Sequence, residues 1–248
     1  MFDMPIELSI IIVHYKTRGL LKQCLRSLLT SEIAVPHEII VVDNASKDGT
    51  REMCATRFSQ VRFVELPENV GFGRANNIAM REARGKYFVI LNPDTITTSG
   101  QFEKVLRYMR EHADVGALGA KLLNPDTSVQ VSCYRAPKWY TPLTRRMFFG
   151  NMPFGREENK RFLMQDIDRS VTQDVDWVQG SFMCVPREVV MKVGGFDDRF
   201  FMYFEDIDWC RRIREAGYRV VYFPEASFTH YHRRESDGGG LIRTLRRK

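Results

Sequence analysis

The chain has 248 residues, of which 44% are hydrophobic and 12% aromatic, and its formal net charge is +6. So many apolar residues can form a core, which excludes an intrinsically disordered chain. The five cysteines are scattered without a C-x-x-C spacing, which argues against a disulfide framework or a zinc site and predicts small core residues in a reducing cytosol.

The first half alternates short β-branched runs with amphipathic helical patterns, as parallel α/β sheets do. Strands are predicted at 9–13, 38–42, 61–66 and Tyr87–Leu91, and helices at 19–29 and from about 74 to 83. In an open sheet of this kind, ligands bind beyond the carboxyl ends of the strands. The loops expected to bind a ligand are therefore 14–17, 43–50, 69–73 and 92–98.

The second half begins with an aperiodic segment, 134–170, that mixes aromatic residues with Arg, Lys, Pro and Gly. Because a linker would not carry so many large apolar side chains, this segment is predicted to be an insertion or flap. Regular patterns return as a strand at 175–185, helices at 186–193 and 206–216, and a strand at 219–223.

Polar residues in three of the expected ligand-binding loops suit a nucleotide. Asp43 follows a buried strand and could accept a hydrogen bond from the N–H of uracil or thymine, while Tyr15 offers a stacking face in the neighbouring loop. Gly71 and Gly73 permit close backbone approach, and Arg74 at a helix start suits an anion. Each piece also fits a plain turn, a helix cap or a glycine-rich helix entry, so none decides the function alone.

The segment "LNPDT" follows another predicted strand and suits a metal-bound diphosphate. Pro93 stiffens the turn, so that Asn92 and Asp94 can both face the loop. Taken by itself, the tripeptide is explained more simply as an ordinary Asn-Pro-Asp turn.

Three carboxylates, Glu205, Asp206 and Asp208, follow the aromatic run "FFMYF". Apolar surroundings would raise the pKa of Asp206 toward that of a useful base. The same acids suit the first turn of a helix, where negative charge is stabilised by about 0.3–1 kcal/mol. Farther on, His230 and His232 would share one face of a strand, either as metal ligands or as structural histidines.

An ordered set of motifs joins these pieces: "VHYK", "VVDNASKDG", "NVGFGRANN", "LNPDT", "WVQGSFMCVPREVVMKVGGFDDRFFMYFEDIDWCRR" and "FTHYH". Together they strongly resemble the family 2 glycosyltransferases with the GT-A fold, in particular the bacterial rhamnosyltransferase-like branch. The resemblance covers about 8 to 232. It implies an α/β fold with a Rossmann-like, mostly parallel central sheet flanked by helices and an inserted flap on the acceptor side.

The same resemblance implies an inverting, metal-dependent transfer of one sugar from a nucleotide-diphosphate sugar to an acceptor hydroxyl. The positions it assigns to donor binding are Tyr15, Asp43, Gly73, Arg74 and Asn92. Asp94 falls on the metal-binding acid of the D-x-D motif, whose first acid is replaced by Asn92, and His230 falls on a late histidine that helps to hold Mg²⁺ or Mn²⁺. A neutral Asn92 would weaken such a metal site.

Catalysis is assigned by resemblance to the E-D base motif, Glu205 and Asp206, with Asp206 as the base. The residues expected on the acceptor side are Gly180, Ser181 and Trp209. We expect one GT-A domain over 1–232, with a nucleotide-binding half at about 1–125 and an acceptor and catalytic half at about 126–232. A basic tail at 233–248 would follow.

No Q-x-x-R-W motif follows Asp206, which favours addition of a single sugar over processive synthesis. On resemblance, the preferred donor is dTDP-rhamnose, with UDP-sugars and GDP-sugars left open. The expected acceptor is an oligosaccharide or a polyprenyl-diphosphate-linked precursor of cell wall polysaccharide. No recognised motif indicates a nucleic acid partner.

No export or membrane-spanning segment is visible, so a cytoplasmic location is predicted. Peripheral contact with the inner face of the cytoplasmic membrane is a further option, because the tail combines Leu and Ile with Arg and Lys and could lie on anionic lipid. A disordered basic tail explains the same residues equally well.

Two alternatives share this kind of fold, and the sequence argues against the second. A non-catalytic module of the same fold would bind nucleotide sugars or glycans without turnover. A sugar-nucleotide pyrophosphorylase would be expected to have a glycine-rich basic loop after its first strand, where this chain has "HYKTRG".

Overall fold

Apolar strands and amphipathic helices build a layered α/β structure in the computed structural model, which describes residues 5–146 and 148–231. His232 and the basic tail therefore lie outside the described residues. The strands are β1 (Leu8–His14), β2 (His37–Asp43), β3 (Arg62–Glu65), β4 (Tyr87–Leu91), β5 (Thr95–Ile96), β6 (Val115–Leu123), β7 (Cys133–Tyr134), β8 (Gln173–Asp174), β9 (Trp177–Val178), β10 (Phe182–Pro186) and β11 (Arg219–His230). The helices are α1 (Arg18–Thr30), α2 (Thr50–Arg57), α3 (Phe72–Glu82), α4 (Gln101–Glu111), α5 (Thr141–Arg146), α6 (Pro153–Phe162), α7 (Arg187–Val193) and α8 (Glu205–Glu215), with a 3-10 turn at Phe148–Asn151.

The central sheet is covered by helices on both faces. Every residue of β1 is buried, as a strand with helices on both sides requires. One core layer contains buried residues of α1, α2 and α4, and the other contains those of α3, α7 and α8. Along α1, Leu21, Cys24, Leu25 and Leu28 repeat at helical spacing and face the sheet.

The sheet order among the described residues is β3-β2-β1-β4-β10-β6-β11-β5, with β8 paired to β11. Six of these nine strands run in one direction, and β10 runs antiparallel between β4 and β6. The prediction of a mostly parallel sheet is therefore confirmed. In the register of β1, His14 pairs with Asp43 and Ile12 with Leu91, so the loops after β1, β2 and β4 open at one edge.

Two strand predictions in the second half are wrong in their limits. The single strand at 175–185 is broken into β9 and β10, because the backbone turns at 179–181 and the N–H of Gly180 donates to the Asp206 carboxylate instead of to a strand. The strand at 219–223 continues to His230. Pro224 cannot donate to a ladder, and β11 passes it through a register shift between Phe223 and Ser227.

The aperiodic segment contains two short helices, α5 and α6, joined by the 3-10 turn. We call residues 136–162 the flap. Its inner side is held by the buried Glu158, which accepts hydrogen bonds from Thr141 and Arg161. The prediction of an ordered insertion rather than a linker is confirmed.

All five cysteines are buried and free, as predicted for core residues. Across 5–146 and 148–231, no helix combines the length and apolar character that crossing a membrane would require.

Gly71 holds the aromatic segment before α8 against the start of α3. Its φ of +89° and ψ of 172° are accessible essentially to glycine alone, and the carbonyl oxygen of Phe201 accepts a hydrogen bond from the N–H of Phe72 at 3.0 Å. A Cβ at Gly71 would lie 2.4 Å from that oxygen. The sequence predicts close backbone approach at Gly71, and the group that approaches it within the described residues is the backbone of Phe201.

Gly71→Ala is expected to lower the free energy of unfolding by roughly 2–5 kcal/mol, since it adds both backbone strain and a clash. Gly100→Ala separates the two effects, because Gly100 has a φ of +80° but no neighbour within 4 Å of a new Cβ. This substitution adds backbone strain without a clash, so it should lower the free energy of unfolding by only about 1–2 kcal/mol. Urea unfolding measures both. Equal losses for the two variants would contradict the close approach of Phe201 to Gly71.

Candidate active site

The loops after β1 and β2 offer one exposed aromatic ring and one buried carboxylate. Tyr15 is 42% exposed and available for stacking. Asp43 is buried, and its Oδ1 accepts a hydrogen bond from the N–H of Ser46 at 2.8 Å. The Oγ of Ser46 in turn accepts from the N–H of Lys16 at 2.9 Å, so the two loops are joined by hydrogen bonds.

His14 ties the same loops together, a role that sequence reasoning missed. The side chain is fully buried, with Nδ1 2.9 Å from the Thr17 hydroxyl and Nε2 3.0 Å from the Thr50 hydroxyl. Burial lowers the pKa of His14, which opposes the effect of nearby Asp48. The available signal was a histidine that directly follows the apolar run of β1.

Arg74 lies in the first turn of α3 with its side chain exposed. No ion pair within the described part of the chain involves this guanidinium, so it can meet an anionic ligand. The preceding loop is held in place by Asn44, whose Oδ1 accepts from the N–H of Val70 at 2.9 Å and whose Nδ2 donates to Asn69 at 2.8 Å. Gly73 is buried, and a Cβ there would lie 2.9 Å from Phe196, so its smallness also serves packing.

Asp94 and His230 are brought together by strand pairing. The C-terminal strand β11 pairs antiparallel with β5, with His230 opposite Thr95, and the N–H of Tyr231 donates to the carbonyl of Asp94 at 2.9 Å. As a result, Asp94 Oδ1 lies 3.2 Å from His230 Nε2. The sequence predicts both residues as metal ligands.

Gln130 sets the orientation and tautomer of His230. Its amide nitrogen donates to the carbonyl of His230 at 2.7 Å and to Asn124 at 2.8 Å, which leaves its oxygen 3.0 Å from Nδ1 of the ring. Nδ1–H therefore donates to Gln130, and Nε2 presents a lone pair toward Asp94. Sequence reasoning missed Gln130, because nothing in its neighbourhood in the sequence marks it.

This pair fits a divalent cation. Asp94 Oδ1 is buried and accepts no hydrogen bond, so a carboxylate oxygen faces an imidazole lone pair. Adjacent ligands of an octahedral ion with bonds of about 2.1–2.2 Å lie about 3 Å apart, close to the observed separation. No group of three or more His, Cys, Asp or Glu residues in the described ranges could hold a metal, so a cation here would need further ligands from a substrate or water.

Asn92 connects this pair with the turn before β10. Its Nδ2 lies 3.1 Å from the Ser181 hydroxyl and 3.4 Å from His230 Nε2, and its backbone N–H donates to the Ser181 carbonyl. The amide therefore turns a nitrogen, rather than an oxygen ligand, toward His230. Asn92 borders the Asp94 and His230 pair without adding a charge to it.

Asp206 contacts the preceding residue of the same turn, Gly180. The carboxylate is half-buried in the first turn of α8 and accepts hydrogen bonds from the N–H of Gly180 at 3.3 Å and of Ile207 at 2.9 Å. Burial raises its pKa to about 6 despite these hydrogen bonds. A carboxylate of that basicity, still partly accessible to solvent, can accept a proton near neutral pH.

The two neighbouring acids have different environments. Glu205 is buried, its Oε2 has no hydrogen-bond partner, and burial together with the charge of Asp206 raises its pKa to about 7. Burial would also raise the pKa of Asp208, but hydrogen bonds from Arg212 and Arg211 bring it below the usual value. The pKa of Asp206 is raised, as apolar surroundings predict, and its role as a base stays a prediction.

The aromatic segment before α8 is exposed and conformationally strained. Phe201, Met202, Tyr203 and Phe204 are each more than half exposed, and Tyr203 and Phe204 have φ values of +68° and +71°. Such left-handed backbone in bulky residues costs about 1–3 kcal/mol each and is concentrated at functional sites. The segment therefore presents a large apolar surface directly before Glu205.

Two residues expected on the acceptor side have no surface to offer an acceptor. Trp209 is fully buried, donates its ring N–H to the carbonyl of Gly194 and packs against Phe196, so its role is structural. Ser181 is buried, and both its oxygens accept from Asn92. Gly180, also buried, lies directly beside Asp206.

Comparison with known proteins identifies the family. The family described as Glycosyl transferase family 2 matches residues 9–169. The chain belongs to this family. It is a rhamnosyltransferase-like glycosyltransferase, similar to the N-acetylglucosaminyl-diphospho-decaprenol L-rhamnosyltransferase of Mycobacterium tuberculosis, with 30% identity over 93% of this chain and 78% of that protein. Rhamnosyltransferase WbbL of Escherichia coli is also 30% identical, over 90% of this chain and 82% of that protein.

Solved structures place this glycosyltransferase in the GT-A fold. The mannosyltransferase PcManGT of Pyrobaculum calidifontis, solved in complex with GDP-Man and Mn²⁺, superposes with a TM-score of 0.65 at 20% identity. The match covers 98% of this chain and 61% of that chain. The prediction of a GT-A fold is confirmed.

Glu205→Gln is expected to change how stability depends on pH. An acid whose pKa is raised in the folded state binds more protons when folded, so its contribution to stability falls as pH rises from about 4.5 to about 7. Near pH 8 the variant should be more stable than the wild type by up to about 3 kcal/mol, and the two should converge in acid.

Urea unfolding near pH 5 and near pH 8 measures this difference. Glu225→Gln, at an exposed position of β11, provides the matched control and should leave the pH dependence unchanged. An identical pH dependence in wild type and Glu205→Gln would contradict the raised pKa of Glu205.

Proposed function

We propose that this glycosyltransferase moves one L-rhamnose from dTDP-rhamnose to a hydroxyl of a lipid-linked or cell-surface polysaccharide precursor, with inversion and with a divalent cation. One observation carries the proposal. Gly180 donates to the Asp206 carboxylate, and the adjacent Ser181 accepts from Asn92, which lies beside His230 and Asp94, so neighbouring residues of one turn connect the proposed base with the proposed metal site. The similarity to two rhamnosyltransferases supports the choice of sugar.

The donor is proposed to lie along the carboxyl edge of β1, β2 and β4. Tyr15 would stack on the nucleobase, and Asp43 would accept from the ring N–H of thymine or uracil. Arg74, exposed at the start of α3, would bind the diphosphate, where the helix N-terminus also favours an anion.

Asp94 and His230 are proposed to hold Mg²⁺ or Mn²⁺, with Gln130 fixing the histidine ring. The cation would neutralise negative charge that develops on the departing nucleoside diphosphate. The Mn²⁺ in the mannosyltransferase of the same fold supports this assignment. The donor diphosphate would complete the ligand set that the two protein residues begin.

Asp206 is proposed as the general base. The acceptor oxygen attacks the anomeric carbon as its proton passes to Asp206, and the bond between that carbon and the diphosphate oxygen breaks with its electron pair on the diphosphate. Attack from the face opposite the leaving group inverts the configuration. A pKa of about 6 leaves Asp206 mostly ionised at neutral pH and still basic enough to assist.

The acceptor is proposed to enter between the flap and the exposed aromatic segment 201–204, which could stack on a sugar ring. A lipid-linked N-acetylglucosamine acceptor is the first to test, because the mycobacterial relative is named for that compound.

Asp206→Asn is expected to lower turnover by about 10²–10⁴-fold, because an amide cannot take the acceptor proton. Release of dTDP from dTDP-rhamnose in the presence of the lipid-linked acceptor measures turnover. Glu225→Gln, an exposed carboxylate-to-amide change, should retain wild-type turnover. A wild-type protein that binds nucleotide but never transfers sugar would instead support a non-catalytic binding module.

A binding readout separates catalysis from donor recognition in the same variants. Thermal stabilisation by dTDP with Mn²⁺ should be the same in wild type and Asp206→Asn. When the dTDP concentration is a hundred times its dissociation constant, the free energy of unfolding should rise by about 2.7 kcal/mol. A chelator or Asp94→Asn should remove it. Stabilisation by UDP or GDP but not dTDP would overturn the choice of donor.

A further inference from the structure

The flap carries apolar side chains that its own packing leaves exposed. Trp139 is 86% exposed, and Leu143, Met152 and Phe154 are each roughly half exposed. Trp139, Leu143 and Phe154 line an open cleft of about 320 Å³. Solvent-exposed apolar clusters of this kind mark interaction surfaces.

The exposed cluster is built into an ordered element. The inner side of the flap is closed by Glu158, which binds Thr141 and Arg161, and by Asn159, whose Nδ2 donates to the carbonyl of Thr144 at 3.2 Å. The two helices α5 and α6 are therefore fixed to each other. The apolar side chains on the outer side of the flap remain largely exposed to solvent.

Basic charge surrounds the same surface. The flap contains six Lys or Arg residues and two Glu residues, a net charge of +4. Both acids are already paired, Glu157 with Lys160 and Glu158 with Arg161. Arg145 and Arg156 are exposed and take part in no ion pair among the described residues.

Packed aromatic rings connect the flap with the turn beside Asp206. Its last residue, Phe162, accepts a backbone hydrogen bond from Arg135 and packs its ring near Tyr134, which stacks on Trp177 at 4.1 Å. Trp177 opens β9, and the turn after β9 contains Gly180, which donates to Asp206. A continuous series of packed residues therefore connects the C-terminal end of the flap with the turn beside Asp206.

We propose that the flap docks this glycosyltransferase on an anionic lipid bilayer. Trp139, Leu143 and Phe154 enter the interfacial region, where amphipathic and aromatic side chains are favoured, and Arg145 and Arg156 pair with lipid phosphates. Charge complementarity favours this partner. The exposed arginines match the negative headgroups of the bilayer, and the exposed apolar side chains match the acyl chains beneath them. The orientation of the docked enzyme rests on the proposed function, since a lipid-linked acceptor would then meet Asp206 at the bilayer surface.

Tryptophan fluorescence of the full chain tests the docking. The sequence has three tryptophans, and Trp177 and Trp209 are buried, so a change on vesicle addition reports Trp139. Vesicles of phosphatidylcholine with phosphatidylglycerol should shift the emission to the blue and allow quenching by brominated acyl chains, and Trp139→Phe should abolish the signal. Vesicles of phosphatidylcholine alone should give a much weaker response.

Cosedimentation with the same vesicles measures affinity in matched variants. Arg145→Gln and Arg156→Gln should each weaken binding roughly fivefold, and Trp139→Ser with Phe154→Ser should weaken it further. Met191→Ser and Arg57→Gln alter equally exposed positions outside the flap and should bind as wild type. These vesicles contain no acceptor, so Asp206→Asn should also dock normally, which keeps docking separate from the proposed reaction.

Three results would overturn the docking. The first is a double variant, Trp139→Ser with Phe154→Ser, that binds vesicles as tightly as the wild type. The second is binding that is lost only when four basic residues of the tail are changed to Gln, namely Arg243, Arg246, Arg247 and Lys248. A blue shift that appears without lipid as protein concentration rises would show that a second copy of the chain covers the flap instead.

Discussion

The candidate active site depends on the antiparallel pairing of β5 with the end of β11. These strands are far apart in sequence, and without their contact Asp94 and His230 would belong to unrelated loops. β11 reaches this position because it runs parallel to β6 and continues past Pro224 through a register shift. The metal-binding hypothesis is therefore a consequence of sheet topology, because the end of β11 pairs with β5, which directly follows β4.

A second constraint is the turn that interrupts the expected strand at 175–185. Within this turn, Gly180 donates to the Asp206 carboxylate, and Ser181 accepts from Asn92, which lies beside His230. Environment then distinguishes the three acids at the start of α8. Hydrogen bonds from two arginines lower the pKa of Asp208, and burial removes Glu205 from solvent. Among the three acids, only Asp206 combines a raised pKa with access to solvent. The pKa differences among these neighbouring carboxylates thus arise from burial and from ion pairing.

Much of the fold was predictable because apolar periodicity is a local signal: the predicted β4 matches the observed limits, and α1 and β2 differ by about one residue at each end. The roles of Asp94, His230 and Asp206 are inferred from the motifs that carry the family resemblance, and they stay predictions. The limits of prediction lie in contacts between distant residues. No periodic pattern in the sequence indicates that His14 bridges two loops or that Gln130 orients His230. The burial of Trp209 likewise depends on its packing against Phe196, which is distant from any local pattern.

The most direct test of the central claim is the position of a metal. Crystals grown with Mn²⁺ and dTDP would locate the ion by its anomalous scattering. We expect one strong peak within about 2–2.5 Å of both Asp94 Oδ1 and His230 Nε2, with the diphosphate completing the coordination. A nucleotide bound with the peak distant from both residues, or with no peak at all, would contradict the assignment of this strand-paired site as the metal centre.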